Sequence, residues 1–319
     1  MKTSDYLKCA ILLCVFLFAA CQCKPPIIGD AQCDNIAKKG YVSILVLNVD
    51  YEVVNHEKNL KRIANFVANN HVDLILFQEA EAYGGITGPA DATSELRKIL
   101  LKKYKMRFNM TSAADILIWG NAILSSCEIT ETDLKKINTP GTVGKGAIGL
   151  NRNVLLAVIS IPDYGKVNVY NTHLCARCEK SEREVQLDRA LSWIKEITPD
   201  SRLAIFGGDL NFDLFINNGA EVPMYKKIIK AGLKDAYADY MKTNGVGLDD
   251  LCEDEDKPDE HCTKGVTRID DKNGRRVDYI FIKSPPGIKS AKVVFNSVVS
   301  HTEPTVSDHA GVFIRLNLH

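Results

Sequence analysis

Residues 202–213 read Arg202-Leu-Ala-Ile-Phe-Gly-Gly-Asp-Leu-Asn-Phe-Asp213. Leu203–Phe206 is a short unbroken apolar run, the pattern of a strand buried on both faces. Gly207 and Gly208 are expected to end that strand and to let the backbone come close to whatever lies beyond it. Asp209 and Asn211 follow at i and i+2, a spacing that turns both side chains the same way in an extended chain. A carboxylate and an amide oxygen at the mouth of a buried sheet begin a site for a hard cation or a phosphate. An ordinary Gly-Asp turn after a strand would use the same letters. The two readings separate on whether other strands end in the same way.

They do. Ser43–Leu47 is a buried strand running into Asn48, and Asp73–Phe77 is another running into Gln78-Glu79. The strand 166–174 closes on Asn171-Thr172-His173-Leu174. Ser307-Asp308-His309 stands just before a last strand at 311–318, and Asp278 lies inside Val277–Ile282. Other strand-like pieces fall at 116–119, 122–125, 154–161 and 291–295, while 241–275 reads as polar and irregular. Helical spacing appears in 55–70 (Leu60, Ile63, Ala64, Val67) and in 181–197 (Leu187, Leu191, Ile194), with further helices at 94–104 and 223–232. Strands and helices alternate early and mix later, without a linker or repeat. The pattern is that of one α/β domain with two packed sheets and outer helices.

Length and charge bound the function. The 319 residues, 45% of them hydrophobic, suffice for one large core. The net charge is zero, and no Lys/Arg tract provides the footprint of a dedicated nucleic-acid binder. Lys2 and Lys8 flank the apolar run 10–20, with small residues near 19–21. This is the layout of a cleaved signal peptide over residues 1–23, which predicts a secreted protein. Residues 24–40 form a polar lead-in and 41–319 the domain. Beyond the signal lie Cys33, Cys127, Cys175, Cys178, Cys252 and Cys262, an even number that suits disulfides in an exported chain. The Cys175-x-x-Cys178 pair lacks the matching half that a zinc site needs, so local disulfides are expected. Asn109-Met-Thr111 is a sequon for N-glycosylation.

Buried strands that end repeatedly in Asn, Asp, Glu and His supply what cleavage of a phosphate ester requires. They offer oxygen ligands for a divalent cation, two titratable histidines, and amides to hold phosphate oxygens.

The ordered set QE, NTH, GDLN, D-Y-I-F and SDH across Ser43–Leu318 resembles the endonuclease/exonuclease/phosphatase superfamily typified by DNase I. The resemblance implies a four-layered α/β/β/α sandwich and Mg²⁺-dependent phosphoester hydrolysis, with Mn²⁺, Co²⁺ or Ca²⁺ as possible substitutes. It makes Glu79 the principal metal ligand, helped by Asn48. His309 becomes the general base beside the metal, oriented by Asp278 and supported by Asp308. Asp209 and Asn211 would hold metal, phosphate or attacking water. His173 would donate a proton to the leaving oxygen or stabilise the phosphate, and Asn171 would help bind substrate.

NTHL followed by Arg183, Gln186 and Leu187, then Arg276–Phe281 and the spacing to Lys234-Asp235, looks most like the secreted neutral sphingomyelinase C group. That implies a phospholipid at a membrane surface and a monomeric enzyme. The aromatic hairpin of bacterial sphingomyelinases is missing, since 283–306 hold only Phe295 as an aromatic. Phe212, Phe215 and Ile216 are a substitute or a buried turn. Six acidic residues between Cys252 and Cys262 would repel a DNA backbone if they lie near the cleft. Lys145, Arg152, Arg177, Arg275 and Arg276 could instead line a phosphate track, as in a DNase I-like endonuclease. A secreted binding protein that kept the fold and lost turnover is the third reading.

Overall fold

A computed structural model of the chain describes residues 24–29, 33, 36–50, 56–81, 92–116, 119–138, 152–176, 178–213, 222–245, 265–269, 275–283, 287–296 and 306–318. The signal segment, Lys145, Arg177, Phe215, Ile216 and the acidic stretch between Cys252 and Cys262 lie outside these residues.

The strands are β1 (Tyr41–Asn48), β2 (Leu74–Glu81), β3 (Asn109–Ile116), β4 (Trp119–Ser125), β5 (Glu128–Lys136), β6 (Asn153–Ile161), β7 (Gly165–His173), β8 (Ala204–Asp209), β9 (Leu233–Asp235), β10 (Asp278–Lys283), β11 (Ile288–Val294) and β12 (Gly311–Asn317). The helices are α1 (Ile36–Lys39), α2 (His56–Asn70), α3 (Ala92–Tyr104), α4 (Lys180–Ile197), α5 (Val222–Lys230) and α6 (Ala236–Thr243). One sheet has the order β11-β12-β1-β2-β4-β3 and the other β5-β6-β7-β8-β10-β9.

The alternation of side chains in each central strand builds the layers. Val42, Ile44 and Val46 of β1 face the second sheet, meeting Leu155, Val169, Ile205 and Ile280. Leu45 and Leu47 face the other way, onto Ile63 and Val67 of α2 and Leu96 and Leu100 of α3. Across the molecule, Tyr170, Phe206 and Phe281 pack under Leu187, Leu191 and Trp193 of α4. Each such buried side chain is worth roughly 1.5–3 kcal/mol, so the three interfaces hold the α/β/β/α sandwich together. Being covered on both faces, these strands read as continuous apolar runs.

Topology gathers the polar strand ends. Each sheet carries one central parallel pair, β1–β2 and β7–β8, whose carboxyl ends point to the same edge. β10 runs antiparallel to β8 in a register that sets its first residue, Asp278, opposite Asp209. β12 is antiparallel to β1, so His309 immediately before it arrives beside Asn48's end of the sheet.

The two glycines do not end β8, which continues through them to Asp209. A Cβ on Gly207 would meet side chains of Val46 and Leu76 at 3.0 and 3.1 Å, so its bareness lets the sheets close on each other. Gly208 has φ +139°, and a Cβ there would lie 1.9 Å from the Thr172 carbonyl oxygen.

The lead-in is part of the fold. Ile28 bridges Met110 of the edge strand β3, and the Thr132 hydroxyl of the other edge strand, β5, donates to the Pro25 carbonyl. Cys33 is disulfide-bonded to Cys127. Cys175 is bonded to Cys178, and among the described residues no cysteine is left for a zinc site. The sequon's Asn109 lies in β3 at 5% exposure, and its Oδ1 accepts from the Ile129 amide, so the fold gives the glycosylation expectation no support.

Candidate active site

At the shared edge, Asn48 Nδ2 donates to Glu79 Oε1 at 2.9 Å and to Asp209 Oδ2 at 3.2 Å. One amide thus stands between two carboxylates from different sheets. Its Oδ1 accepts the Asp50 amide at 3.1 Å and keeps a second lone pair. Glu79 reaches the mouth through a bulge: the β2–β4 register shifts between Phe77 and Ala80, and Glu79 has φ +52°. Bulges of this kind re-aim a side chain at a sheet end.

Asp209 and Asn211 come together differently from the extended-chain expectation. Asn211 has φ +50°, and its amide donates to Asp209 Oδ1 at 2.9 Å in an Asx-type turn. Asn211 Nδ2 is used on the Leu174 carbonyl at 3.0 Å, so only its oxygen remains to offer a cation.

His309 is buried, and its Nδ1 lies 2.8 Å from Asp278 Oδ2. The other nitrogen, Nε2, is 3.8 Å from Asp209 Oδ2. Asp278 is itself placed by its backbone amide, which donates to Thr267 Oγ1 at 3.0 Å. Asp308 lies at the mouth, with Oδ1 3.9 Å from His309 Nε2. His173 Nε2 is 3.3 Å from Asp209 Oδ2 and 3.9 Å from Glu79 Oε1.

Burial, then the neighbouring Asp278, pushes Asp209 up to about 7. Burial, Arg152 and His309 hold His173 well below the usual histidine value, so its ring is neutral. For His309, burial disfavours the charged ring, but Asp278, Asp209 and Asp308 outweigh it and raise the group to about 10. A second contact pulls the other way. Arg268 Nη1 is 2.7 Å from His309 Nε2, and a guanidinium can donate only to an unprotonated nitrogen. We take the contact to select the neutral ring whenever Arg268 is seated, the proton then being shared among the acids of the cluster.

Five of the residues singled out from sequence have other work. Asn171 donates to the Phe77 and Ala122 carbonyls at 2.7 and 2.9 Å and accepts from Gln78 Nε2 at 2.6 Å. It staples the two sheets under the site and has no donor left for substrate. Arg276 is fully buried and paired with Asp235 at 2.8 Å, so it lines no phosphate track. Phe212 is a buried turn residue stacked on Tyr279. Arg183 and Gln186, which suggested a lipid-cleaving branch, hold the loop after His173 by bonding the Cys175 carbonyl and amide.

Arg268 was missed. It lies in the polar stretch read as irregular, where no periodicity marks it, and only the bridge to His309 reveals its place.

The donors fit a divalent cation. Asp209, Asp278 and His309 present ligand atoms within 4.8 Å of one another, with Glu79 and Asn48 adjoining. Asp278 Oδ1 is buried without a hydrogen-bond partner. Carboxylate and amide oxygens with imidazole suit a hard metal rather than a soft one. His309 is expected both as base and as ligand; with Nδ1 spent on Asp278, both uses compete for Nε2.

Among solved structures, an endonuclease/exonuclease/phosphatase family protein from Leptotrichia buccalis superposes with a TM-score of 0.65 at 22% identity, covering 86% of this chain and 99% of its own. D. rerio TDP2, complexed with a single-strand DNA product, gives 0.59 at 19% identity over 87% and 99%. A Bacteroides vulgatus protein of the same description gives 0.59 at 17% identity over 88% and 99%. At these identities the likeness shows the fold. Among curated proteins the sequence has no match. The family model for endonucleases, exonucleases and phosphatases matches residues 47–309, from the end of β1 to His309 before β12. With that match covering most of the chain, on the α/β/β/α sandwich just described, the protein belongs to the endonuclease/exonuclease/phosphatase family.

Proposed function

We propose that this protein is a secreted, Mg²⁺-dependent phosphodiesterase whose substrate is sphingomyelin or a related phospholipid. The observation that carries the chemistry is the Asp278–His309 pair at 2.8 Å, opening onto Asp209, Glu79 and His173 at one sheet edge. Asp278 fixes the ring so that Nε2 is the atom able to take a proton from water. Burial and Asp278 raise Asp209 to about 7 in the metal-free site, and a bound cation would hold it ionised, as a ligand rather than an acid. His173, neutral and next to Asp209, serves as a hydrogen-bond donor to a phosphate oxygen rather than as an acid. Glu79, Asn48 and Asp209, with the Asn211 oxygen, are the residues to hold the cation. When bound, the metal supplies Lewis-acid stabilisation of charge on the phosphate.

The lipid reading rests on the neutral net charge, the acidic stretch between Cys252 and Cys262, and the second histidine. DNA is the second reading, favoured by the similarity to D. rerio TDP2, seen with a single-strand DNA product. The signal-free protein with Mg²⁺ is offered sphingomyelin liposomes and plasmid DNA in parallel. Phosphocholine release that stops with EDTA supports the lipid assignment, and nicked plasmid under the same controls replaces it with DNA. Export is checked by expressing the full chain in eukaryotic cells; retention in the cells with an intact leader refutes secretion.

A further inference from the structure

We propose that Arg268 is a phosphate-binding residue that caps the general base at rest and uncovers it when an ester phosphate draws the guanidinium away. This rests on the phosphodiesterase reading and adds a binding residue to it. The guanidinium forks: Nη1 lies 2.7 Å from His309 Nε2 and Nη2 2.6 Å from Asp308 Oδ2. The nitrogen it covers is the one that must accept a proton from water, because Nδ1 is committed to Asp278. In the seated position, arginine and water compete for the same lone pair.

The main chain beneath it is fixed. The Arg268 amide donates to the Arg275 carbonyl at 2.8 Å, the Ile269 amide to Asp308 at 3.1 Å and the Ala310 amide to Thr267 at 2.7 Å. Thr267 Oγ1 in turn accepts the Val277 and Asp278 amides. A short stitched segment therefore holds the Arg268 Cα between the two strands that carry the base and its orienting acid. The side chain reaches solvent at the mouth, where it and Asp308 are each 26% exposed. Arg268 and Asp308 form a half-buried pair held by one carboxylate oxygen and one imidazole nitrogen, whereas a phosphate offers the same fork two charged oxygens. Arginine suits the task better than lysine, having a planar pair of donors. Arg152 is a second cation near enough, like Arg268, to depress His173, so an anion here meets more than one positive charge.

The test compares Arg268→Gln and Arg268→Lys with the parent, with Mg²⁺ present. Inorganic phosphate binding is followed by calorimetry, and KM and kcat by hydrolysis of a diester. Loss of one charge-assisted pair predicts phosphate binding weaker by about 10- to 100-fold in Arg268→Gln, with KM rising in parallel. The lysine variant should recover part of both, and kcat should hold or rise because the base is uncovered. Unchanged phosphate affinity and KM in a folded Arg268→Gln protein overturn the proposal, leaving Arg268 as a counter-ion for the acids. A fall in kcat alone overturns it too. If the parent cleaves no diester, the phosphodiesterase reading fails on its own, and the phosphate titration still decides whether Arg268 binds the anion.

Discussion

Asp278 holds His309 through one 2.8 Å contact, and its other oxygen has no partner, so on the Nδ1 side the ring's tautomer depends on a single carboxylate. Asp278→Asn keeps the shape and reverses the preference, because an amide can donate to Nδ1 and leave the proton on Nε2. Turnover should drop about 10²- to 10⁴-fold with the fold intact, read from kcat beside the circular dichroism spectrum. A variant retaining half the parent's rate would remove His309 from the role of base. Much at this scale was legible in the chain. Asp209, Asp278, His173 and His309 stand where buried strands meet polar letters, and the structure brings them together. Asn171 carried the same signature and became a staple between sheets, since sequence shows that a polar group is buried but not which partners satisfy it. Glu79 reaches the site through a positive φ and a bulge, which leave no mark in the letters.

Among the elements, β10 is anchored by the ion pair of Arg276 with Asp235, closed on both sides by the rings of Tyr237 and Tyr279 at 4.9 and 4.7 Å. Both partners are almost wholly shielded from water. Arg276→Met strands the Asp235 carboxylate in that setting and should cost roughly 3–5 kcal/mol in urea unfolding. Removing Asp235 as well, with an apolar residue in its place, should restore much of the loss. A single variant within 1 kcal/mol of the parent, an outcome about the size of an exposed pair's worth, would mean that water reaches the site. β10 was read as a strand, but this pair, the short β9 and α6 beside it, and the edge strand β5 were not read from sequence. β5 has one covered face and a charged outer one, and α6 spans only eight residues behind its Asp235 cap. The central strands and α2 and α4 were read correctly, because burial on two faces or a helical stripe leaves a periodic trace.

For the whole molecule, two sheets deliver their acids to one edge, and the charge gathered there sets how stability responds to pH. Asp209 is raised from 3.8 to about 7, so its favourable contribution is complete at low pH and is lost as pH climbs through that window. In EDTA, stability from this group should therefore fall from acid toward alkaline pH, and Mg²⁺ should raise the melting temperature more at high pH than at low. A Mg²⁺ effect that shrinks as pH rises would contradict the clustering of acids. The architecture was legible as a whole because the parallel pairs and polar ends recur in order along the chain. The substrate was not, since one set of metal-site acids and histidines serves phosphoesters of many kinds. The most direct test is hydrolysis of a simple chromogenic phosphodiester by the parent and by His309→Ala. Cleavage is expected with Mg²⁺, stopping in EDTA, returning when the metal is restored, and absent from the variant. Cleavage that survives both EDTA and the loss of His309 would contradict the metal- and His309-dependent mechanism.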